Sequence, residues 1–434
     1  MNIFQNIRLG FVHVGIAITF VPINGVLNRI MINEFEFLAS LVAALIIFPY
    51  LLSPLQLLIG SYSDHANVFG LKRTPFILLG LLLCVSGSIF APHTAYLMTE
   101  NFWLGTALSF LTFGIWGLGY NIAAVSYLSL ASDMSTPQNR SRVISIMWFM
   151  MITSIIFTAI MVGRALEPFT VESLFGVFYN VGFASVSLVL LGLIGLEKRQ
   201  TGQQIALEER ASHSQIFDAV FKNPKIRLFF IYLIILLASI LGQDVLLEPF
   251  AAKAFGMSIK ETTELTAIWG GSTLTSLLIH GFVLNRWFTN KSGAVLGAMI
   301  AAIGLFIIAL SGLLHLQAIF IPGIVLLGLG TGIATSTNLA LMLGMTTTGQ
   351  TGVFIGAWGV ADALSRALGN FLGGFGRDTV TYIFNNPILG YSSVFITEAL
   401  LLTISIFMLK HIDDGSYKET KASMSDVIAV TGDA

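Results

Sequence analysis

The sequence predicts an all-α membrane protein of twelve transmembrane helices in two six-helix halves, and three observations lead there. Of its 434 residues, 55% are hydrophobic and 10% charged, and the apolar residues gather in runs of about 20, the length that crosses a bilayer. Gly117–Ala123 (GLGYNIA) recurs as Gly328–Ala334 (GLGTGIA), and Trp148 has a counterpart in Trp358 at nearly the same offset. The basic residues are also unevenly shared between the two sides that such helices define.

In chain order the spans are 11–32, 37–60, 74–93, 102–131, 143–163, 173–196, 226–249, 262–284, 292–313, 317–344, 353–374 and 388–410. With a cytoplasmic N-terminus, sixteen of the 22 basic residues fall inside, five outside, and Arg366 within a span. That bias places both termini in the cytoplasm. Residues 1–196 form the first half and 226–410 the second. The polar segment 197–225 is a cytoplasmic loop between them, with a short amphipathic stretch near Gln215–Phe221 suited to the membrane surface. Residues 411–434 read as a flexible cytoplasmic tail. Six spans separate the repeats, so the halves share one membrane orientation, as in transporters built from parallel repeats. Gly114, Gly117 and Gly119, with Gly328, Gly330 and Gly332, allow close helix approach; packing is the leading reading and a flat ligand the other.

Net charge of −1 and the lack of a basic block give no footprint for nucleic acid. The single cysteine, Cys84, lies in a span, so neither a disulfide framework nor a cysteine metal site is available. The first 30 residues lack a signal-peptide pattern, and the N-terminus reads as retained.

Three groups of charges inside or beside the spans are candidate sites. Asp244 and Glu248 stand four apart, on one helix face, before Pro249, which is expected to end the helix. Acids there meet the negative end of the helix dipole and need a partner, a proton or deep water; the alternative is an outer loop that begins early. Aligning the ends of spans 1 and 7 sets Arg29 against Asp244, which suggests a charge pair of Arg29 with Asp244 or Glu248 as an outer gate. Asp362 and Arg366, spaced i, i+4, are expected to satisfy each other. Gly374-Phe-Gly376 reads as a helix-end turn before Arg377-Asp378.

The loop after span 2, Gly60-Ser-Tyr-Ser-Asp64 followed by Gly70-Leu-Lys72-Arg73, resembles the motif between helices 2 and 3 of the major facilitator superfamily. Asp133, Arg140 and Arg142 across the next inside loop would complete a cytoplasmic charge cluster. Its counterpart in the second half, Gly281–Arg286, keeps a glycine and a basic residue without the aspartate.

A narrower resemblance rests on Gly25–Glu34, the lengthened loop Ser63–Gly70, Gln243–Pro249 continuing to Phe255-Gly-Met257, Glu261–Thr263, Leu265–Gly270, and Gly356-Ala-Trp-Gly359. Together these are similar to the PucC/LhaA family, nearly through span 12. The resemblance implies a major facilitator fold adapted to assembling chlorophyll- or bacteriochlorophyll-binding light-harvesting and photosystem proteins. It also implies a place in a thylakoid, intracytoplasmic or plasma membrane of a photosynthetic bacterium, with pigment-synthesis enzymes as further partners. Members have also been labelled bacteriochlorophyll synthase subunits. Gln56, where a basic residue is expected, and Ala251-Ala252, where glycine is, depart from the purple-bacterial pattern and suggest a cyanobacterial branch.

Leu108–Leu118 carries no charge and Met147–Gly163 no proline, both of which weigh against a drug or sugar antiporter. Asp244, Glu248, Asp362 and Arg366 keep a transporter of a tetrapyrrole or other solute open. No phosphate loop, metalloprotease spacing or aspartate-rich diphosphate site occurs, so no enzymatic activity is expected. A pigment would need an apolar pocket and an axial donor to magnesium. His280, then His13, are the candidates, although packed histidines are the commoner case.

Overall fold

In the computed structural model, residues 3–52, 70–135, 137–197, 224–282, 288–344 and 351–411 are described, and helices account for nearly all of them. α1 (Ile3–Ala17), a π-helical turn (Pro22–Leu27) and α2 (Asn28–Asn33) make the first span. α3 (Ala39–Leu51), α4 (Thr74–Glu100), α5 (Phe102–Met134), α6 (Pro137–Ala165) and α7 (Val171–Leu193) follow. The seventh span is broken into α8 (Pro224–Leu241), a 3₁₀ turn (Gly242–Val245) and α9 (Leu247–Phe255). α10 (Ile259–Phe282), α11 (Asn290–Leu313), α12 (Gln317–Gly344), α13 (Thr351–Phe384) and α14 (Pro387–Lys410) complete the chain.

Nine spans among the described residues are apolar and long enough to cross a bilayer by themselves. α3, α10 and α13 occupy the other places of the twelve-helix expectation. The helix starts are set locally. Asn101, Thr170, Thr289 and Asn386 each accept a backbone N–H three residues on, so α5, α7, α11 and α14 begin where a short polar side chain can satisfy an orphan donor.

The chain packs as two compact units, one of Met1–Phe37, Ala44–Glu208 and Ser258–Glu264, the other of Leu38–Ala43, Glu209–Met257 and Leu265–Ala434. The repeated glycines explain the internal architecture of each. In the first unit, a Cβ on Gly117 would collide with Pro49 of α3, and one on Gly119 with the backbone of Cys84 in α4. In the second, a Cβ on Gly328 would lie 2.6 Å from the Trp269 carbonyl of α10, and one on Gly330 would meet the backbone of Ala301 in α11. Equivalent glycines thus seat equivalent neighbours, the packing reading of the repeat. Trp148 and Trp358 are both fully buried. Packing pairs repeat as well: α4 on α5 and α7 in one unit, α11 on α12 and α14 in the other.

Two sequence expectations are corrected. Pro249 does not end a helix; it lies in the first turn of α9, where its missing N–H would be unpaired in any case. The break comes earlier, at Gly242. The Gly374–Gly376 turn is likewise absent, because α13 continues to Phe384. Gly374 instead makes room for backbone: a Cβ there would lie 2.8 Å from the Ala39 carbonyl. One helical turn on, the Asp378 carboxylate accepts the N–H groups of Ala39 and Ser40 at 3.2 and 2.8 Å, capping α3.

Candidate functional site

The broken seventh span is where the second unit concentrates its buried charge. Because the helix stops at Leu241 and resumes at Leu247, Asp244 and Glu248 do not share a helix face. Asp244 sits in the 3₁₀ turn, while Glu248 lies in the first turn of α9, at the favourable, positive end of its dipole. Glu248 is buried and accepts the Thr266 hydroxyl at 2.6 Å.

Arg366 of α13 links two acids. Its Nε donates to Asp362 Oδ2 and its Nη1 to Asp244 Oδ2, both at 3.1 Å. The side chains of Arg366 and Asp362 are 9% and 5% exposed and that of Asp244 29%, so the triad has a dry side and a wetter one. The i, i+4 spacing foretold the first contact. Nothing in the spacing announced the second, across 122 residues. Asn370, one turn further along α13, accepts the N–H of Val245 at 3.3 Å and ties the turn down.

Glu398 of α14, which the sequence reading did not single out, joins this cluster. It is 5% exposed, and a Cβ built on Gly242 would lie 2.5 Å from its Oε1. Its detectable signal was a lone acid in an otherwise apolar span.

Arg29 is buried in α2 and pairs with Glu34 at 2.8 Å within the first unit. In the loop region before α4, Arg73 pairs with Asp133 at 2.9 Å. The start of α4 is capped by Glu197, whose carboxylate accepts the N–H groups of Lys72, Arg73 and Thr74 at 2.7, 3.0 and 2.7 Å. Gly60, Asp64 and the side chains of Arg140 and Arg142 lie outside the described residues.

The histidine candidates differ sharply in surroundings. His13 is wholly buried, with Tyr127 and Trp148 rings centred 4.8 and 4.5 Å away. His280 is buried, bonded to Ser336 through Nδ1 at 3.0 Å, and its Nε2 would lie 3.2 Å from a Cβ on Gly293. Both sit in close packing against these neighbours. His93 offers a better setting. It stacks on Phe175 at 3.9 Å, accepts or donates to the Tyr179 hydroxyl at 3.2 Å, and stands one turn from Phe90. Phe90 belongs to an apolar groove of about 570 Å³ between α4 and α7, lined also by Leu82, Val85 and Val186.

A broken seventh span, paired glycine contacts and a buried charge cluster belong to a polytopic membrane protein of major facilitator fold. Solved structures agree on the fold. A variant of the nucleoside transporter NupG superposes with a TM-score of 0.72 at 15% identity, over 94% of this chain and 99% of that one. A bacterial homolog of the human lysosomal transporter Spinster gives 0.70 at 14% identity, over 95% and 97%. The family described as PUCC protein matches residues 26–416, and the chain belongs to that family. Protein PucC of Rhodovulum sulfidophilum is 29% identical over 86% of this chain and 85% of its own. An uncharacterized protein from the puhA-bchM intergenic region of Rhodobacter capsulatus is 28% identical over 93% and 88%. The bacteriochlorophyll synthase 44.5 kDa chain of the same organism is 27% identical over 93% and 94%.

Proposed function

We propose that this protein is an assembly factor for chlorophyll- or bacteriochlorophyll-binding light-harvesting or photosystem proteins, which holds or delivers pigment in a photosynthetic membrane. The observation that carries the reading is the family match across nearly the whole chain, with a relative named as a bacteriochlorophyll synthase chain. The role is non-enzymatic, and any synthase reaction belongs to partner enzymes. The apolar groove between α4 and α7 supports it: the surface suits an isoprenoid tail, and the His93 imidazole, next to Phe90 of its lining, is a donor of the kind that magnesium accepts. Phe175 would back the imidazole, and the Tyr179 hydroxyl would fix which ring nitrogen is free.

The test is gentle purification from the native host, followed by an absorption spectrum and identification of co-purifying proteins. Pigment and antenna polypeptides should co-purify, and His93→Leu should lower bound pigment several-fold while the protein accumulates normally. The second reading, a secondary transporter of a tetrapyrrole or other solute, is favoured by the transporter fold of the solved relatives. A pigment-free protein that accumulates a solute in vesicles would establish that reading and displace the first.

A further inference from the structure

The break in the seventh span brings three helices to one point. A Cβ on Gly242 would lie 3.2 Å from the backbone of Gly369 in α13 and 2.5 Å from Glu398 Oε1 in α14. Among the described residues, Glu398 stands at that point with Asp244 near it, and Arg366 links Asp244 to Asp362. The guanidinium donates to both aspartates.

Glu398 is left over. It is buried, its Oε2 receives no hydrogen bond, and the nearest field it feels is that of Asp244, of its own sign. Gln243, the residue after Gly242, is 2% exposed; its Nε2 donates to Asp244 at 2.7 Å, and its Oε1 is also without a donor. Both orphaned atoms are acceptors. At the same place α8 gives way to the 3₁₀ turn, so the negative end of its dipole lies at this point. Interrupted membrane helices coordinate cations in this way elsewhere.

Among the described residues, no cation of the other elements packed on α14 pairs with Glu398. α11 has no ionisable residue between Ser292 and Leu313. Arg377 of α13 pairs with Asp378 at 2.8 Å. Glu248 takes the Thr266 hydroxyl, and Arg227 and Lys253 are exposed. One carboxylate beside one neutral amide oxygen carries a single negative charge at most, which suits a singly charged ligand.

We propose that Glu398, with Gln243 Oε1 at the break of the seventh span, binds one monovalent cation, either a proton or a sodium ion. The site would give the second unit a charge-dependent state. It goes beyond pigment handling and does not depend on it.

The experiment is infrared difference spectroscopy on the full chain in lipid nanodiscs, stepping pH from about 5 to about 9, the range in which buried carboxyls are known to titrate. Each step is run with sodium and with choline as the only added cation. Wild type should show a carboxylic-acid carbonyl band that comes and goes with pH. Glu398→Gln should abolish it, Glu398→Asp should move it, and Gln243→Leu should shift its pH midpoint. If the band responds to pH alone, the ligand is a proton. If sodium removes it at constant pH, the ligand is sodium, competing with the proton. Should no band sensitive to Glu398 respond to either cation, the proposal is overturned. Where Glu398→Gln fails to accumulate, Glu398→Asp makes the assignment: a band that does not move in that variant belongs to another carboxyl and overturns the proposal.

Discussion

A carboxylate that accepts three successive backbone N–H groups is a stronger cap than a serine or threonine, because the acceptor is charged and the donors sit at a helix N-terminus. Glu197 does this for α4. Glu197→Ala is therefore expected to destabilise the first unit by about 1–2 kcal/mol, read as a lowered Tm in detergent, while Glu197→Gln, which retains one acceptor oxygen, should lose less. Asp133→Asn, by contrast, releases only the partly exposed pair with Arg73 and should cost less than about 1 kcal/mol. Arg366 makes a sharper case. Removing it as Arg366→Gln strands two acids at once and should cost about 3–5 kcal/mol, whereas Asp362→Asn leaves Arg366 bonded to Asp244 and should cost clearly less. The double variant should recover part of the Arg366→Gln loss; equal folded yields for single and double variants would mean that the two side chains do not act as a pair. Sequence made some of these residues visible and hid others for a physical reason. Asp362 and Arg366 announce themselves by helical spacing, and Arg73 and Asp133 by charge at span ends. Glu197 and Glu398 act on partners more than 120 residues away, and no periodicity carries that information.

At the scale of elements, glycine decides where helices approach and where one of them stops. The repeat made the role of Gly117, Gly119, Gly328 and Gly330 legible, since each half needs the same close contact in the same place. The break at Gly242 was misread because Pro249 is the louder signal, and a proline in the first turn of a new helix looks, in sequence, like one that ends the old. Gly242 itself is ordinary by pattern; only the approach of Gly369 and Glu398 explains it. Gly242→Ala should therefore be costly even though alanine favours helix, by about 1–3 kcal/mol from overpacking, seen as lower folded yield in fluorescence-detected gel filtration. Gly176→Ala is the matched control. Nothing lies within 4 Å of a Cβ there, so the substitution should be neutral or slightly stabilising. A Gly242→Ala protein as stable as wild type would mean that α8 can relax away from α13 at no cost.

For the whole molecule, the twelve-span topology turns on the helices that hydropathy alone would not pass, α13 above all. It is 34 residues long, about 51 Å at helical rise, against a hydrocarbon core of about 30 Å. Arg366 falls near its middle, while Arg377 and Asp378 lie about 16 Å further on, close to where the core ends. The mid-helix charge is thus the one that must be neutralised inside the membrane, and it is, by Asp362 and Asp244. Arg377 instead pairs with its neighbour Asp378 and covers the Tyr391 ring at 4.6 Å, suited to an interface. Sequence could place these charges on one helix but could not tell that the central one was already paired across two elements. The expectation is that α13 crosses the membrane as a full span. Reporter fusions placed within residues 345–350 and directly after Phe384 should report opposite sides, with the first on the same side as a fusion after Lys410. In Arg366→Gln the stranded acids should lower the fraction of chains with α13 inserted, so the two reporters should become mixed in side. If both fusions of the wild-type chain report one side, α13 does not cross, the span count falls to an odd number, and the common cytoplasmic placement of both termini inferred from the basic residues fails with it.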